Sequence, residues 1–358
     1  MSTKFISTLL GSECVECPPI EPVSEEVHRP LWSVMIPTYN RTKYLEQTLK
    51  SVLEQGFGPE IMQIEVIDNC STEGDPEAVV RRIGHDRVFF HRQPNNVGLI
   101  ANLTTCIKRA KGQLVHILHD DDLVLPGFYC QLQEAFEKEP TIGAAFCRYA
   151  QVDEENRQQY LAPLERSTSG IISNWIEKIA VGQRLEPPSI VVKRSVYEQL
   201  GGFHPGLSHS TDWEMWKRIA AHYSVWYEPK TLAYYRVHSS SDTSAVIKSG
   251  QNIVDTRKAI EVSKSYLPNA IADKLTSKAK EKCALWALII ARRALIRGDK
   301  ATAIVQIQEA LKCSSSLRVI SSLTLLPVLV GISKTMTTAR RKSPKKELSI
   351  RVKSVPIN

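Results

Sequence analysis

From Trp32 onward the chain is written in alternating blocks. Short apolar runs bounded by turn residues give way to stretches with apolar residues three and four apart. "WSVMIP" (32–37) reads as a buried strand, and the following "RTKYLEQTLKSVLEQG" places Leu45, Leu49, Val52 and Leu53 on one helical face, with Gly56 as the stop. "IEVID" (64–68) is strand-like, and "DPEAVVRRIG" (75–84) is a short helix capped by Asp75 with Pro76 at its first position. "RVFFH" (87–91) reads as a strand, "LIANLTTCIKRAKG" (99–112) as a helix ended by Gly112, and "QLVHIL" (113–118) as a further strand. Strand and helix alternating with short connections predict an α/β domain, a mostly parallel sheet with helices on both faces.

Beyond residue 186 the pattern loosens. "PPSIVVKRSVYEQLGGF" (187–203) reads as strand, short helix and Gly-Gly stop, "STDWEMWKRIAAH" (210–222) as a helix, and "LAYYRVH" (232–238) as a strand. Residues 251–313 turn helical, with a helical hairpin about Gly298-Asp299. The boundaries this predicts are a loose leader over 1–30, an α/β domain over 31–245 split near 125/126, a helical extension over 246–315, and an apolar segment with a basic tail over 316–358.

Composition narrows the classes. With 42% hydrophobic residues among 358, the chain has material for a full core. The formal net charge is +8, but residues 334–358 carry eight basic residues against the single acid Glu347, which leaves the body nearly neutral. A nucleic-acid-binding body therefore has no electrostatic support, and the tail lacks interleaved aromatics. The apolar stretch at 319–332, interrupted by Ser and Pro327, is too short to span a bilayer comfortably. Followed by clustered Lys and Arg, it fits contact with an anionic membrane surface, and it fits equally a core helix with a solvated tail. The eight cysteines are scattered, and the lone "CVEC" at 14–17 has no second pair at zinc spacing. Reduced thiols and no convincing signal peptide give a cytoplasmic expectation, with peripheral attachment at the inner face of the cell membrane through the tail.

Polar residues gather where apolar strands end: Pro37-Thr38-Tyr39-Asn40-Arg41, Asp68-Asn69, and His119 followed by Asp120, Asp121 and Asp122. In parallel sheets ligands bind outside the carboxyl ends of the strands. Crowded carboxylates repel, and a hard divalent cation such as Mg²⁺ or Mn²⁺, which takes carboxylate and phosphate oxygens, relieves that repulsion. An extended backbone brings Asp120 and Asp122 to one face, whereas a turn brings together any two of the three. Against this stands an ordinary acidic loop. Asp68 can accept hydrogen bonds from a base or sugar, or form a turn with Asn69 and Ser71. Asp212 near a helix start is either a cap or a base that takes a proton from an attacking hydroxyl. Arg236 and His238 share a strand face and suit a diphosphate or its metal, or an exposed edge. No G-x-G-x-x-G follows the first strand, and neither a P-loop nor a G-x-S-x-G elbow is present, which weighs against a dinucleotide-dependent oxidoreductase, a P-loop nucleotidase and an α/β-hydrolase.

Taken in order, "WSVMIPTYNRTKYLEQTLKSVLEQ", "IEVIDNCSTEGD", "NNVGLIANLTTCIKRAKGQLVHILHDDDLVLPGFY", "STDWEMWKRIA" and "LAYYRVHSSSDTS" resemble the motifs of family 2 glycosyltransferases of the GT-A fold, of the bacterial surface-polysaccharide type. The resemblance runs from about Trp32 to Ser241 and implies a nucleotide-diphospho-sugar transferase fold with a nucleotide-binding half (31–125) and an acceptor and catalytic half (126–245). It implies a metal-dependent, inverting transfer of a sugar from a nucleotide-diphosphate sugar to a saccharide or lipid-linked acceptor, in polysaccharide or glycolipid biosynthesis of the cell envelope. Asp212 falls at the catalytic base. Pro37, Thr38, Asn40, Arg41, Asp68, Asp120 and Arg236 fall at nucleotide-sugar contacts, and Asp121, Asp122 and His238 at the metal. The pattern departs at His119, which stands where the family's acidic motif begins with aspartate, so the ligand pair stays open. A non-catalytic relative that binds a nucleotide-sugar or a partner transferase is the competing reading, and His119 is its support.

Overall fold

A computed structural model describes residues 16–24, 26, 28–238 and 242–326. The first part of the leader and the tail beyond residue 326 lie outside them, and with the tail lies most of the segment read as membrane-facing. The strands are β1 (Trp32–Thr38), β2 (Met62–Asp68), β3 (Phe89–Arg92), β4 (Leu114–Ile117), β5 (Leu123–Val124), β6 (Ala144–Val152), β7 (Gln158–Leu161), β8 (Gly170–Ile171), β9 (Ile190–Lys193) and β10 (Val225–Arg236). The helices that matter below are α1 (Leu45–Leu53), α2 (Pro76–Gly84), α3 (Leu99–Arg109), α4 (Phe128–Lys138), α5 (Trp175–Ala180), α6 (Arg194–Leu200), α7 (Thr211–His222), α8 (Asp242–Ser249), α9 (Gln251–Lys264), α10 (Asn269–Arg297) and α11 (Lys300–Cys313).

One sheet runs β3-β2-β1-β4-β9-β6-β10-β5, with β7 on β6 and β8 on β10. The first four strands are parallel, as the βα alternation predicts. Past β4 the sheet is mixed: β9 lies antiparallel to both β4 and β6, whereas β6 and β10 are parallel. Every residue of β1 and β2 is buried, because helices cover both faces. Period two sorts the side chains. Trp32, Val34, Ile36, Ile64 and Val66 enter one apolar cluster, and Met35, Ile67, Val115 and Ile117 the other. Gly112 ends the α3 connection where β4 enters the sheet, since a Cβ there would lie 2.5 Å from the Trp32 carbonyl carbon.

Local rules explain the element ends. The Asp75 carboxylate accepts the Ala78 N–H at 3.0 Å and Pro76 opens α2. The strand read at 87–91 begins instead at Phe89. A 3₁₀ turn over His85–Arg87 intervenes, and Arg87 donates to the Met62 carbonyl at 2.6 Å. The hairpin about Gly298-Asp299 forms as read: Gly298 takes φ +86° and the Asp299 carboxylate caps Thr302 N at 3.0 Å. The extension does not hang free. Ile253, Ala259, Ile260, Ala284, Ala287 and Ala310 belong to the same apolar cluster as Met35 and Trp216. No helix among the described residues is long and apolar enough to cross a membrane.

Candidate active site

Four loops converge at the carboxyl ends of β1, β2, β4 and β10. At the end of β4 the chain turns over His119–Asp122, where Asp122 N donates to the His119 carbonyl at 3.1 Å. The turn buries all three carboxylates: Asp120, Asp121 and Asp122 are 3%, 7% and 0% exposed. An extended segment would have paired Asp120 with Asp122. The turn instead gathers His119, Asp121 and Asp122, whose potential ligand atoms lie within 4.8 Å of one another.

Each carboxylate has a different environment. Asp120 turns toward β1, where it accepts from Thr38 Oγ1 at 2.6 Å and from Arg41 Nη1 at 3.1 Å. Asp121 Oδ2 accepts from Arg41 Nη1 at 2.7 Å and faces His238 Nε2 at 3.0 Å. Asp122 Oδ1 accepts the Arg236 N–H at 2.9 Å, while its buried Oδ2 meets no donor among the described residues. Burial, reinforced by the Asp121 charge, pushes the Asp120 and Asp122 carboxyls up. Burial acts on Asp121 in the same direction, but His238, Arg41 and His119 outweigh it and hold that carboxyl low. A half-satisfied carboxylate beside a second carboxylate and an imidazole is a donor set that fits a hard divalent cation.

The residues read as nucleotide contacts divide. Asp68 is fully buried and spent within the protein, accepting from Ser71 Oγ at 2.5 Å and from Arg92 Nε at 2.7 Å. Asn40, at φ +51°, accepts Thr72 N at 2.7 Å and Glu73 N at 3.1 Å, so it ties the β1 loop to the β2 loop. Pro37 pairs with Ile67 inside the sheet. Thr38 and Arg41 reach the aspartate turn directly, Arg41 with its side chain about one-fifth exposed. Arg236 departs from the expectation that it addresses a diphosphate. It is 2% exposed, and its guanidinium donates to the carbonyls of Asp121 at 2.7 Å and of Asp153 and Glu154 at 3.3 Å, and to Gln47 Oε1 at 3.0 Å. Those bonds make it a brace for the turn. His238 does face Asp121, and Tyr44 lies beside it, ring centroids 5.2 Å apart.

Asp212 is the second residue of α7. Its Oδ1 accepts the Trp213 N–H at 2.8 Å and its Oδ2 lies 3.4 Å from Gln183 Nε2. Burial pushes its carboxyl up, against the Trp213 N–H and the nearby His209 and His119. Gln183 also donates to Glu186 at 3.0 Å, and burial together with the Asp212 charge pushes Glu186 far up. Sequence reasoning misses Glu186, whose only local mark is the Pro-Pro that follows. Burial pushes the Tyr235 hydroxyl up, and the charges of Glu186, Asp122, Asp121 and Asp212 act on it in the same direction. A separate cleft of about 500 Å³, lined by Arg29, Leu114, Phe136 and Lys193, opens by the start of β4, remote from the turn.

Known proteins share this fold and parts of this sequence. The model of glycosyl transferase family 2 matches residues 33–201. An uncharacterized protein of Mycobacterium tuberculosis is 27% identical over 258 residues, covering 66% of this chain and 77% of its own length. An uncharacterized glycosyltransferase of Rickettsia typhi is 23% identical over 234 residues, covering 63% of this chain and 70% of its own. Among solved structures, S. aureus TarS 1–349 in complex with UDP-GlcNAc superposes with a TM-score of 0.58 at 16% identity, over 87% of this chain and 91% of that one. The mannosyltransferase PcManGT from Pyrobaculum calidifontis, in complex with GDP-Man and Mn²⁺, gives 0.55 at 21% identity, over 89% and 91%. The fold is thus that of the GT-A glycosyltransferases, a curled α/β sheet flanked by helices with a helical C-terminal region. Residues 33–201, just under half of the chain, match glycosyl transferase family 2, and the chain is a glycosyltransferase.

Proposed function

We propose that the chain transfers a sugar, with inversion and with a divalent cation, from a nucleotide-diphosphate sugar to an acceptor hydroxyl in bacterial polysaccharide or glycolipid assembly. One observation carries the reading: the His119–Asp122 turn presents a cation-fitting donor set, and Asp212 lies near enough to feel the His119 charge. Asp212 is the general base. Its carboxylate, oriented by the Trp213 N–H, takes the proton from the acceptor oxygen as that oxygen attacks the anomeric carbon opposite the leaving diphosphate. His119, Asp121 and Asp122 would hold Mg²⁺ or Mn²⁺, with His238 orienting Asp121 through its Nε2 contact. When bound, that cation supplies positive charge to the diphosphate oxygens. Thr38, Arg41 and Asp120 form the wall toward the donor, and Asp68 and Asn40 fix the loops around its nucleotide. Pro37 sets the end of β1, and Arg236 holds the turn rather than the donor.

The acceptor is a saccharide or a lipid-linked saccharide. Peripheral contact with an anionic membrane belongs to the same proposal. Its support is exposed Leu317 and Leu325 ahead of the basic tail. The base assignment is tested by Asp212→Asn. Donor binding by calorimetry is expected within about threefold of wild type, while nucleoside diphosphate release falls by about a thousandfold or more. Turnover close to wild type would remove Asp212 from the mechanism.

A further inference from the structure

The segment that delivers Asp212 is held by a helix outside the family-matched residues. Asp255 lies on α9, is 3% exposed, and points its carboxylate at the chain just before α7. Oδ2 accepts His209 N and Ser210 N at 2.7 Å each, and Ser208 N lies 3.1 Å from Oδ1 and 3.2 Å from Oδ2. Ser208 Oγ adds a contact at 3.4 Å. Three successive backbone N–H groups on one buried carboxylate make a charge-assisted clamp, among the strongest arrangements a neutral loop can offer an anion. Ser210, at the start of α7, makes no side-chain cap bond of its own, and its hydroxyl is turned to Thr256 Oγ1 at 3.0 Å. Asp255 of α9 therefore adds negative charge at the N-terminus of α7, beside Asp212 and Glu214 of the helix's own first turn. Lys258, one turn on, donates to the Gly206 carbonyl at 2.7 Å, and Lys217 of α7 donates back to the Ala259 carbonyl at 3.0 Å.

We propose that Asp255 is a positioning residue: by fixing the backbone of 208–210 it aims the Asp212 carboxylate, two residues further on, at the acceptor. The helical extension is then part of the catalytic apparatus. This rests on Asp212 being the base, and the two claims separate by experiment. The test compares wild type, D212N and D255N for nucleoside diphosphate release, using from a panel of UDP-, GDP- and dTDP-sugars with Mn²⁺ the donor that wild type turns over fastest. Asparagine is isosteric and keeps one acceptor oxygen but sets an amide N–H₂ against the three backbone donors.

For D255N the expected result is a kcat lower by about tenfold or more, with a donor KM within about twofold and a calorimetric donor stoichiometry still near one. D255E, which restores the charge, is expected to recover part of kcat. A purely structural role would lower the stoichiometry in step with kcat, and that outcome overturns the proposal. So does a wild-type kcat in D255N while D212N is inactive. An active D212N overturns the base assignment itself, whatever D255N does. If D255N does not fold, Thr256→Val loosens the same loop at Ser210 and is read against the same criteria.

Discussion

Replacing Asp122 by asparagine is expected to move stability in opposite directions with and without metal. In a chelator, wild type holds three buried carboxylates in one turn, and Asp122 Oδ2 meets no donor among the described residues. A buried polar atom left unsatisfied costs about 1–3 kcal/mol, more when charged. The amide introduced by D122N would keep a carbonyl oxygen for the Arg236 N–H and remove a carboxyl that burial and the Asp121 charge both disfavour. The metal-free variant should therefore unfold about 2–6 °C higher than wild type, at about 2 °C per kcal/mol for a chain of this size. Manganese reverses the order. At one hundred times its dissociation constant a cation stabilises the protein that binds it by about 2.7 kcal/mol. Wild type should gain about 5 °C or more, and D122N almost nothing. Differential scanning fluorimetry in EDTA and across a MnCl₂ titration reads both signs. A D122N protein less stable than wild type in EDTA, or one that still gains several degrees from Mn²⁺, would refute the reasoning.

Two further outcomes follow from buried charge. Glu186 is pushed far up by burial and by the Asp212 charge, so it stays uncharged while Asp212 titrates, and E186Q should leave the acid limb of the kcat–pH profile in place; a limb displaced to lower pH would contradict this. Lys217, 1% exposed and packed 3.6 Å above the Trp213 ring, is pushed down by burial to about 7. Its folded-state value lies below its unfolded one, so its stabilising contribution is full only above the unfolded value and is lost as pH falls toward about 7. Denaturant unfolding should show wild type gaining stability on K217M between about pH 7 and pH 10, by a few kcal/mol at most; parallel curves would remove the effect.

Much of the fold was legible because β1, β2 and β4 are short apolar runs between helices of clear period, and because Asp75 and Asp299 mark helix starts by ordinary capping chemistry. β6 was not legible. "AAFCRYAQV" is buried almost throughout at the centre of the sheet and shows no alternation, so nothing in it distinguishes a strand from a core helix. Direction was also hidden: β9 lies antiparallel because of the chain's path, which its own four residues do not encode. In the site, the strand-end rule placed the aspartates correctly, but the turn, not strand alternation, chose His119, Asp121 and Asp122 as neighbours. His119 departs from the family pattern, and the turn brings its ring within reach of the Asp121 and Asp122 carboxylates. Arg236 and His238 share a face as expected, yet local carbonyls take up the arginine. Glu186 and Asp255 reach α7 only through tertiary contact, and no spacing rule links them to it.

Whether turnover depends on a metal decides between this mechanism and its rivals. Nucleoside diphosphate release by wild type is measured with its best sugar nucleotide after EDTA treatment, and again after MnCl₂ or MgCl₂ is restored. Release is expected to fall by at least about a hundredfold in chelator and to return with the cation. Release that continues at the full rate in EDTA would contradict a role for the His119–Asp122 turn in holding a catalytic cation.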